Sequence, residues 1–106
     1  MDKIFFVYTT WPNAESAERA AREIIEEKLA ACANVLPGAK SFFTWKDKLE
    51  VASEVVVIFK TSRRLELLLE EKIRALHPYD VPCVLGLEVH GGNESFMKWI
   101  HTSVTE

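Results

Sequence analysis

The run Val55-Val56-Val57-Ile58-Phe59 leaves few folds open to this chain. Five successive β-branched or aromatic residues form a strand, and because successive strand side chains point to opposite faces, both faces of this strand call for cover. A chain of 106 residues makes one domain, residues 1–106, with a modest core and a high surface-to-volume ratio. In a two-layer sandwich of that size the helices cover one face of the sheet, and a strand in it should alternate apolar and polar. Two or three uncovered residues of this size would withhold ~2 kcal/mol of burial each, a large share of a small domain's stability. Self-association is the economical way to cover the second face.

The remaining elements follow from periodicity and breakers. Ile4 to Thr10 is aromatic and β-branched and reads as a first strand, which Pro12 ends. Asn13 caps a helix in which Ala17, Ala20, Ala21, Ile24, Ile25 and Leu29 recur at helical spacing, with a solvated charged face opposite. Cys32 to Trp45 reads as a long strand bent at Pro37-Gly38, and its proline places it at a sheet edge. Lys46 to Glu50 makes a polar turn and Val51 to Thr61 returns as the third strand. Ser62 caps a second helix with the stripe Leu65, Leu68, Leu69, Ile73 and Leu76. Cys83 to His90 is the fourth strand, and Gly91-Gly92-Asn93 leads into a closing helix with Phe96, Trp99, Ile100 and Val104. The order βαββαβ plus a helix predicts an α+β, ferredoxin-like sandwich with sheet order 4-1-3-2 and helices on one face.

Composition removes several classes of function. Hydrophobic residues at 48% and charged residues at 27% exclude intrinsic disorder, and the longest apolar run is far too short to span a bilayer. The start Met1-Asp2-Lys3-Ile4-Phe5-Phe6 enters a strand pattern without the features of a secretory signal, which predicts a cytoplasmic protein. The two cysteines suit that compartment, and neither belongs to a zinc-spaced pair. A net charge of −3 offers nucleic acid or anionic lipid no long-range attraction, and a metal cation or a basic partner is better matched. The RNA-recognition fold shares this strand order, but its stacking platform is missing from the third strand, Glu54 to Lys60.

Between the second helix and the fourth strand lies His77-Pro78-Tyr79-Asp80-Val81-Pro82. Each proline fixes its own φ and pushes His77 and Val81 out of the helical region, so an imidazole and a phenol are held in a stiff loop. With this junction come Leu29-Ala30-Ala31-Cys32-Ala33-Asn34-Val35-Leu36-Pro37-Gly38, Ser41, Trp45, Glu54, Phe59-Lys60-Thr61, Phe96 and Trp99. That ordered set, from about Val7 to Trp99, resembles the CutA family of divalent-cation tolerance proteins. The resemblance implies a trimer, a role in cation tolerance, and an architecture similar to the trimeric PII signalling proteins. Two positions depart from the pattern. Asp47 stands where the family usually has a turn Gly, and Phe43 where it has an aromatic hydroxyl.

Topology sorts the reactive residues. The ends of strand one and helix two, the start of strand four and Trp45 fall at one end of the sheet, whereas Cys32 and Lys60 fall at the other. Cys32 and Cys83 sit on opposite edges, roughly three spacings of ~4.8 Å apart, and so form no intrachain disulfide. For a divalent metal such as copper the candidate ligands are His77, then Cys83 and Cys32, with Tyr79 and Asp80 nearby. The resemblance supports His77: some members carry a His immediately before it and a thiol in the first-strand loop, positions held here by Leu76 and Thr9. Cys32 also reads as a small core residue between alanines, and His90 and His101 as surface or turn residues. Trp11, Trp45, Glu54, Lys60, Tyr79 and Trp99 are expected around grooves between subunits, or in interface packing. No phosphate loop, nucleophile–base pair or paired carboxylates support catalysis, and no organic cofactor is expected. The reading is a cytoplasmic, homotrimeric, non-enzymatic cation-tolerance module. The alternatives are a PII-like small-molecule or partner sensor and, because acylphosphatases share the topology, an acyl-phosphate hydrolase.

Overall fold

A computed structural model describes residues 2–105, so Met1 and Glu106 of the expected domain lie outside the described residues. The elements are β1 (Ile4–Trp11), α1 (Ala14–Glu26), β2 (Cys32–Trp45), β3 (Lys48–Ser62), α2 (Arg63–Leu76), β4 (Val84–Glu88) and α3 (Glu94–Ser103). The four strands form one sheet in the order β2-β3-β1-β4, which is the predicted order read from the other edge, and every pairing is antiparallel. Among the described residues no helix is long and apolar enough to cross a membrane.

Strand alternation separates the two faces. Val7 and Trp11 of β1 and Val55, Val57 and Phe59 of β3 point toward Ala17, Ala20, Ala21 and Ile24 of α1 and Leu69 and Ile73 of α2, and together they make the core. Lys72 joins the two helices through Glu23 at 2.5 Å and Glu27 at 3.0 Å. Registers place Cys32, Asn34 and Leu36 of β2, Val56, Ile58 and Lys60 of β3, Phe6, Tyr8 and Thr10 of β1, and Leu85 and Leu87 of β4 on the other face. There Leu36, Leu85 and Leu87 remain about half exposed. Cys32 belongs to this second face and is only partly buried, which corrects its reading as a core residue.

Two helix ends behave differently from their sequence signals. Asn13 caps α1 as predicted, its side chain accepting from the Ser16 N–H at 2.8 Å. At the other end Lys28 adopts φ 59°, with Lys28 N–H bonded to Ile25 and Leu29 N–H to Ile24, a Schellman motif built on a lysine. Ser62 sits at the N-cap of α2 but makes no capping bond, and its buried hydroxyl has no partner. The free N–H groups are taken from a distance: Arg63 N–H bonds the Lys3 carbonyl at 2.8 Å and Arg64 N–H the Asp2 carboxylate at 3.0 Å. Asp2 thereby places its charge where the helix dipole favours an anion.

The β2–β3 hairpin runs beyond the core as an arm, and the long axis of the molecule reaches 46 Å against 26 and 22 Å for the others. Its turn is tighter than the expected Lys46–Glu50. Trp45 pairs with Lys48, and Lys46 at φ 50° with Asp47 at φ 63°, both in the left-handed region, make a two-residue turn whose twist matches the right-handed twist of the strands. Asp47 thus takes the positive φ that a glycine would, a conformation Asp tolerates. At the base of the arm β2 carries a bulge between Leu36 and Ala39, where Gly38 supplies φ 88°. The fourth strand is shorter than the predicted Cys83–His90.

The prediction that helices cover one face needs correction for α3. Lys60 Nζ lies 5.6 Å from the centre of the Phe6 ring and 5.4 Å from that of Phe96, and Phe6 and Lys60 point away from α1 and α2. Phe96 of α3 therefore reaches the second face at the Cys32 end of the sheet. Ile100 and Val104 are buried beside it in sequence, and His101 has a buried Nε2 with no partner, so His101 is not a simple surface residue.

Candidate functional site

The His77–Pro82 junction closes the end of the sheet where β1 leaves it. The ladder between β1 and β4 ends at Thr9 and Val84, and the next carbonyl, Thr10, accepts a 2.7 Å bond from His77 Nε2. His77 Nδ1 in turn accepts from the Tyr79 N–H at 3.1 Å, which puts the ring proton on Nε2. The ring stacks on Trp11 with centroids 4.2 Å apart, while Trp11 Nε1 donates to the Thr9 hydroxyl at 2.7 Å and that hydroxyl donates to the Val57 carbonyl at 2.8 Å. His77 is buried, and its two nitrogens lock the loop to the sheet. The proline-fixed exit from α2 aims it there: as the C-cap it has ψ 135°, extended rather than helical.

In front of this lock the arm and the junction enclose an open groove of about 660 Å³ lined by Thr10, Phe43, Trp45, Glu50, Tyr79, Asp80, Val81 and Cys83. Beyond the bulge Ser41, Phe43 and Trp45 face the same side as Glu54, and Phe43 stands directly across from Glu50. Glu54 fixes the back of the groove. Its carboxylate accepts from the Ser41 hydroxyl at 2.6 Å and from the Tyr79 hydroxyl at 3.3 Å. Burial raises the Tyr79 phenol above its ordinary range, and the Glu54 charge and hydrogen bond add to this, so the phenol stays a donor. Burial also pushes the Cys83 thiol up; a hydrogen bond with Thr10 works against it and the Glu54 charge with it. Cys83 is therefore a thiol, not a thiolate, at neutral pH.

Of the residues named from sequence, Trp45 and Tyr79 line the groove and Glu54 supports it from behind. Trp11 is instead fully buried against His77. Lys60 lies at the opposite end of the sheet between Phe6 and Phe96, and Trp99 packs beside Phe96 on α3, with centroids 5.5 Å apart. Glu50 and Val81 were not anticipated as lining residues. Once the turn is read as Lys46-Asp47 alone, the register itself brings Glu50 opposite Phe43.

The three candidate metal ligands do not form a ligand set within one chain. His77 has no free ring lone pair, and Cys32 is paired with Lys60 at the far end of the sheet, away from Cys83 just before β4. Among the described residues no three His, Cys, Asp or Glu side chains converge to hold a metal ion. Both cysteines are free, Cys32 opening β2 at one edge of the sheet and Cys83 just before β4 at the other.

Comparison with known proteins extends this geometry to nearly the whole chain. The CutA1 divalent ion tolerance protein family matches residues 5–103. Protein CutA 1, chloroplastic, of Oryza sativa subsp. japonica is 43% identical over 94% of this chain and 56% of its own. The divalent-cation tolerance protein CutA of Pyrococcus horikoshii is 42% identical over 92% of this chain and 94% of its own. The chain thus spans about half the length of the plant relatives it matches and nearly all of the archaeal one. The crystal structure of CutA1 from Oryza sativa superposes with a TM-score of 0.96 at 41% identity, covering 99% of this chain and 96% of that one. With the family pattern, the relatives and the solved structures in agreement along its length, the chain belongs to the CutA1 divalent ion tolerance family.

Proposed function

We propose that the protein acts in divalent-cation tolerance as a cytoplasmic homotrimer that binds or scaffolds and does not catalyse. The observation that carries this reading is the second face of the sheet. Tyr8, Leu36, Val56, Ile58, Leu85 and Leu87 form an apolar sheet surface that, among the described residues, no helix covers at the β4 side, where both leucines stay exposed. Three copies that turn these faces inward remove that surface from water and leave α1 and α2 outside. The two free cysteines support a reducing compartment.

A direct contact with copper or another divalent cation then needs ligands from more than one chain, since one chain does not supply a set. Cys32 lies on the face that would meet its neighbours. The test combines two measurements. Light scattering should give three times the chain mass at micromolar concentration, and copper titration by calorimetry should be compared in the parent, Cys32→Ala and His77→Ala. A stable monomer removes the trimer. Copper affinity lost only in His77→Ala restores the single-chain site.

A second reading, a PII-like module that senses a small molecule, is favoured by one observation, the groove beside Tyr79, whose volume of about 660 Å³ falls in the range of small-molecule sites.

A further inference from the structure

We propose that Glu66 and Glu70 of α2, packed together on the backbone of Gly86, form a proton-operated clasp that holds the edge strand β4 more firmly in acid than in neutral solution. The clasp lies on the helix side of the sheet, behind the face that carries Leu85 and Leu87 and that the proposed trimer turns inward.

Within the chain β4 has a strand neighbour on one side only. It is five residues long, stands at the end of the sheet and pairs with β1. Its register sets Gly86 opposite the core residue Val7, so Val84, Gly86 and Glu88 face the helices while Leu85 and Leu87 face the other way. Gly86 brings no side chain to its contact with α2. The place of one is taken from the helix: a Cβ at residue 86 would coincide with a carboxyl oxygen of Glu66 and stand 3.3 Å from one of Glu70. Glu66 and Glu70, one helical turn apart, share a face of α2, and their carboxyl groups are in hydrogen-bonding contact. Two carboxylates have no donor for that bond, whereas one proton held between them supplies it.

The surrounding charges do not replace that proton. Arg63 and Arg74 lie about a turn to either side of the pair on α2. Burial, then the hydrogen bond and charge of Glu70, raise the Glu66 carboxyl above its ordinary value, and Arg63 opposes them only in part. From the sheet, Glu88 shares the face of Gly86 and is engaged by Lys3 at 3.8 Å. Lys72 of α2 turns away toward Glu23 and Glu27 of α1. A carboxyl raised in the folded state contributes stability that is complete below its unfolded value, near 4.5, and is lost as pH rises through the folded one. Once the proton leaves, two like charges on one helix face repel beside a strand that has little else to hold it.

Hydrogen exchange on the intact protein, read at the amides of residues 84–88, tests the clasp. Glu66→Gln keeps a donor toward Glu70 without a proton. At pH 7.5 this variant should protect β4 about two- to fivefold more than the parent does, and at pH 4 the two should agree. Glu71→Gln, at an exposed position on the same helix, should follow the parent at both pH values. Carbon-13 NMR should show the Glu66 carboxyl titrating at lower pH in Glu70→Gln than in the parent. Equal protection of parent and Glu66→Gln at both pH values overturns the proposal, as does a Glu66 titration that Glu70→Gln leaves unmoved. A gain of protection that is the same at pH 4 and pH 7.5 assigns the effect to packing and overturns it as well.

Discussion

Replacing Leu85 by Glu tests the second face directly. In the single chain Leu85 is 60% exposed, Leu87 54% and Leu36 45%. Full burial of a leucine contributes about 1.5–3 kcal/mol, so the half still outstanding is worth about 1 kcal/mol per side chain, or ~3 kcal/mol per chain over the three. Across the three chains of the proposed trimer that amounts to ~9 kcal/mol of association, before the contribution of Tyr8, Val56 and Ile58. Leu85→Glu removes one such share from each chain and adds a carboxylate whose burial costs several kcal/mol more per copy. The isolated fold hardly registers the change, because the side chain stands mostly in water there. Light scattering should therefore show the variant as a folded monomer at micromolar concentration while circular dichroism keeps the parent's signature. Leu67→Glu, at 72% exposure on α2, is the matching control and should retain the parent's mass. An unchanged mass and melting temperature in Leu85→Glu would refute the reasoning, because no covered apolar face accommodates three carboxylates without cost.

Lys28→Gly should raise stability by ~0.5–1 kcal/mol in urea unfolding, since a left-handed L-residue costs about 1–2 kcal/mol and the glycine returns part of that through its freer unfolded chain. His77→Ala should cost ~2–4 kcal/mol by the same assay, from a lost ring in the core and from orphaning the Thr10 carbonyl and the Tyr79 N–H. The Tyr79 phenol has its folded pKa raised above 10.0, so what it contributes is fully present below the unfolded value and is lost as pH rises through the folded one. Unfolding followed into the alkaline range should accordingly show a loss of stability that Tyr79→Phe lessens, and identical profiles for the two proteins would remove the Tyr79–Glu54 bond from the account.

Local signals were readable in the sequence and distant ones were not. Asn13 announces α1 because its partner, Ser16, is three residues away. Ser62 announces α2 at the right place for an incomplete reason: the group that caps the helix is Asp2, 62 residues from the Arg64 N–H it accepts from, and only the fold brings it there. His77 reads as a free ligand in sequence because the carbonyl that engages it belongs to Thr10 at the end of β1. Strand order followed from the alternation of elements and the right-handed crossover, which depend on pattern and not on particular contacts. Half of the groove was legible in its aromatic residues, Trp45 and Tyr79. The other half waits on register, because a turn of two residues and one of five place Glu50 differently, and the charges at Lys46, Asp47 and Lys48 favour neither.

The bulge at Pro37-Gly38 works as a parity change. Before it the even-numbered residues of β2 share the face of Val56 and Ile58, and after it the odd-numbered ones do. Flattening the bulge without losing a residue would carry an uninterrupted alternation into the arm and rotate the rest of the strand by half a period. Ser41, Phe43 and Trp45 would then trade places with Lys40, Phe42 and Thr44, and the groove would exchange two rings and the Glu54 donor for one ring, a lysine and a threonine. Loss of one residue there would instead remove the bulge and keep Ser41, Phe43 and Trp45 on the side that meets Tyr79, so the extra residue and the faces of the arm are matched to each other.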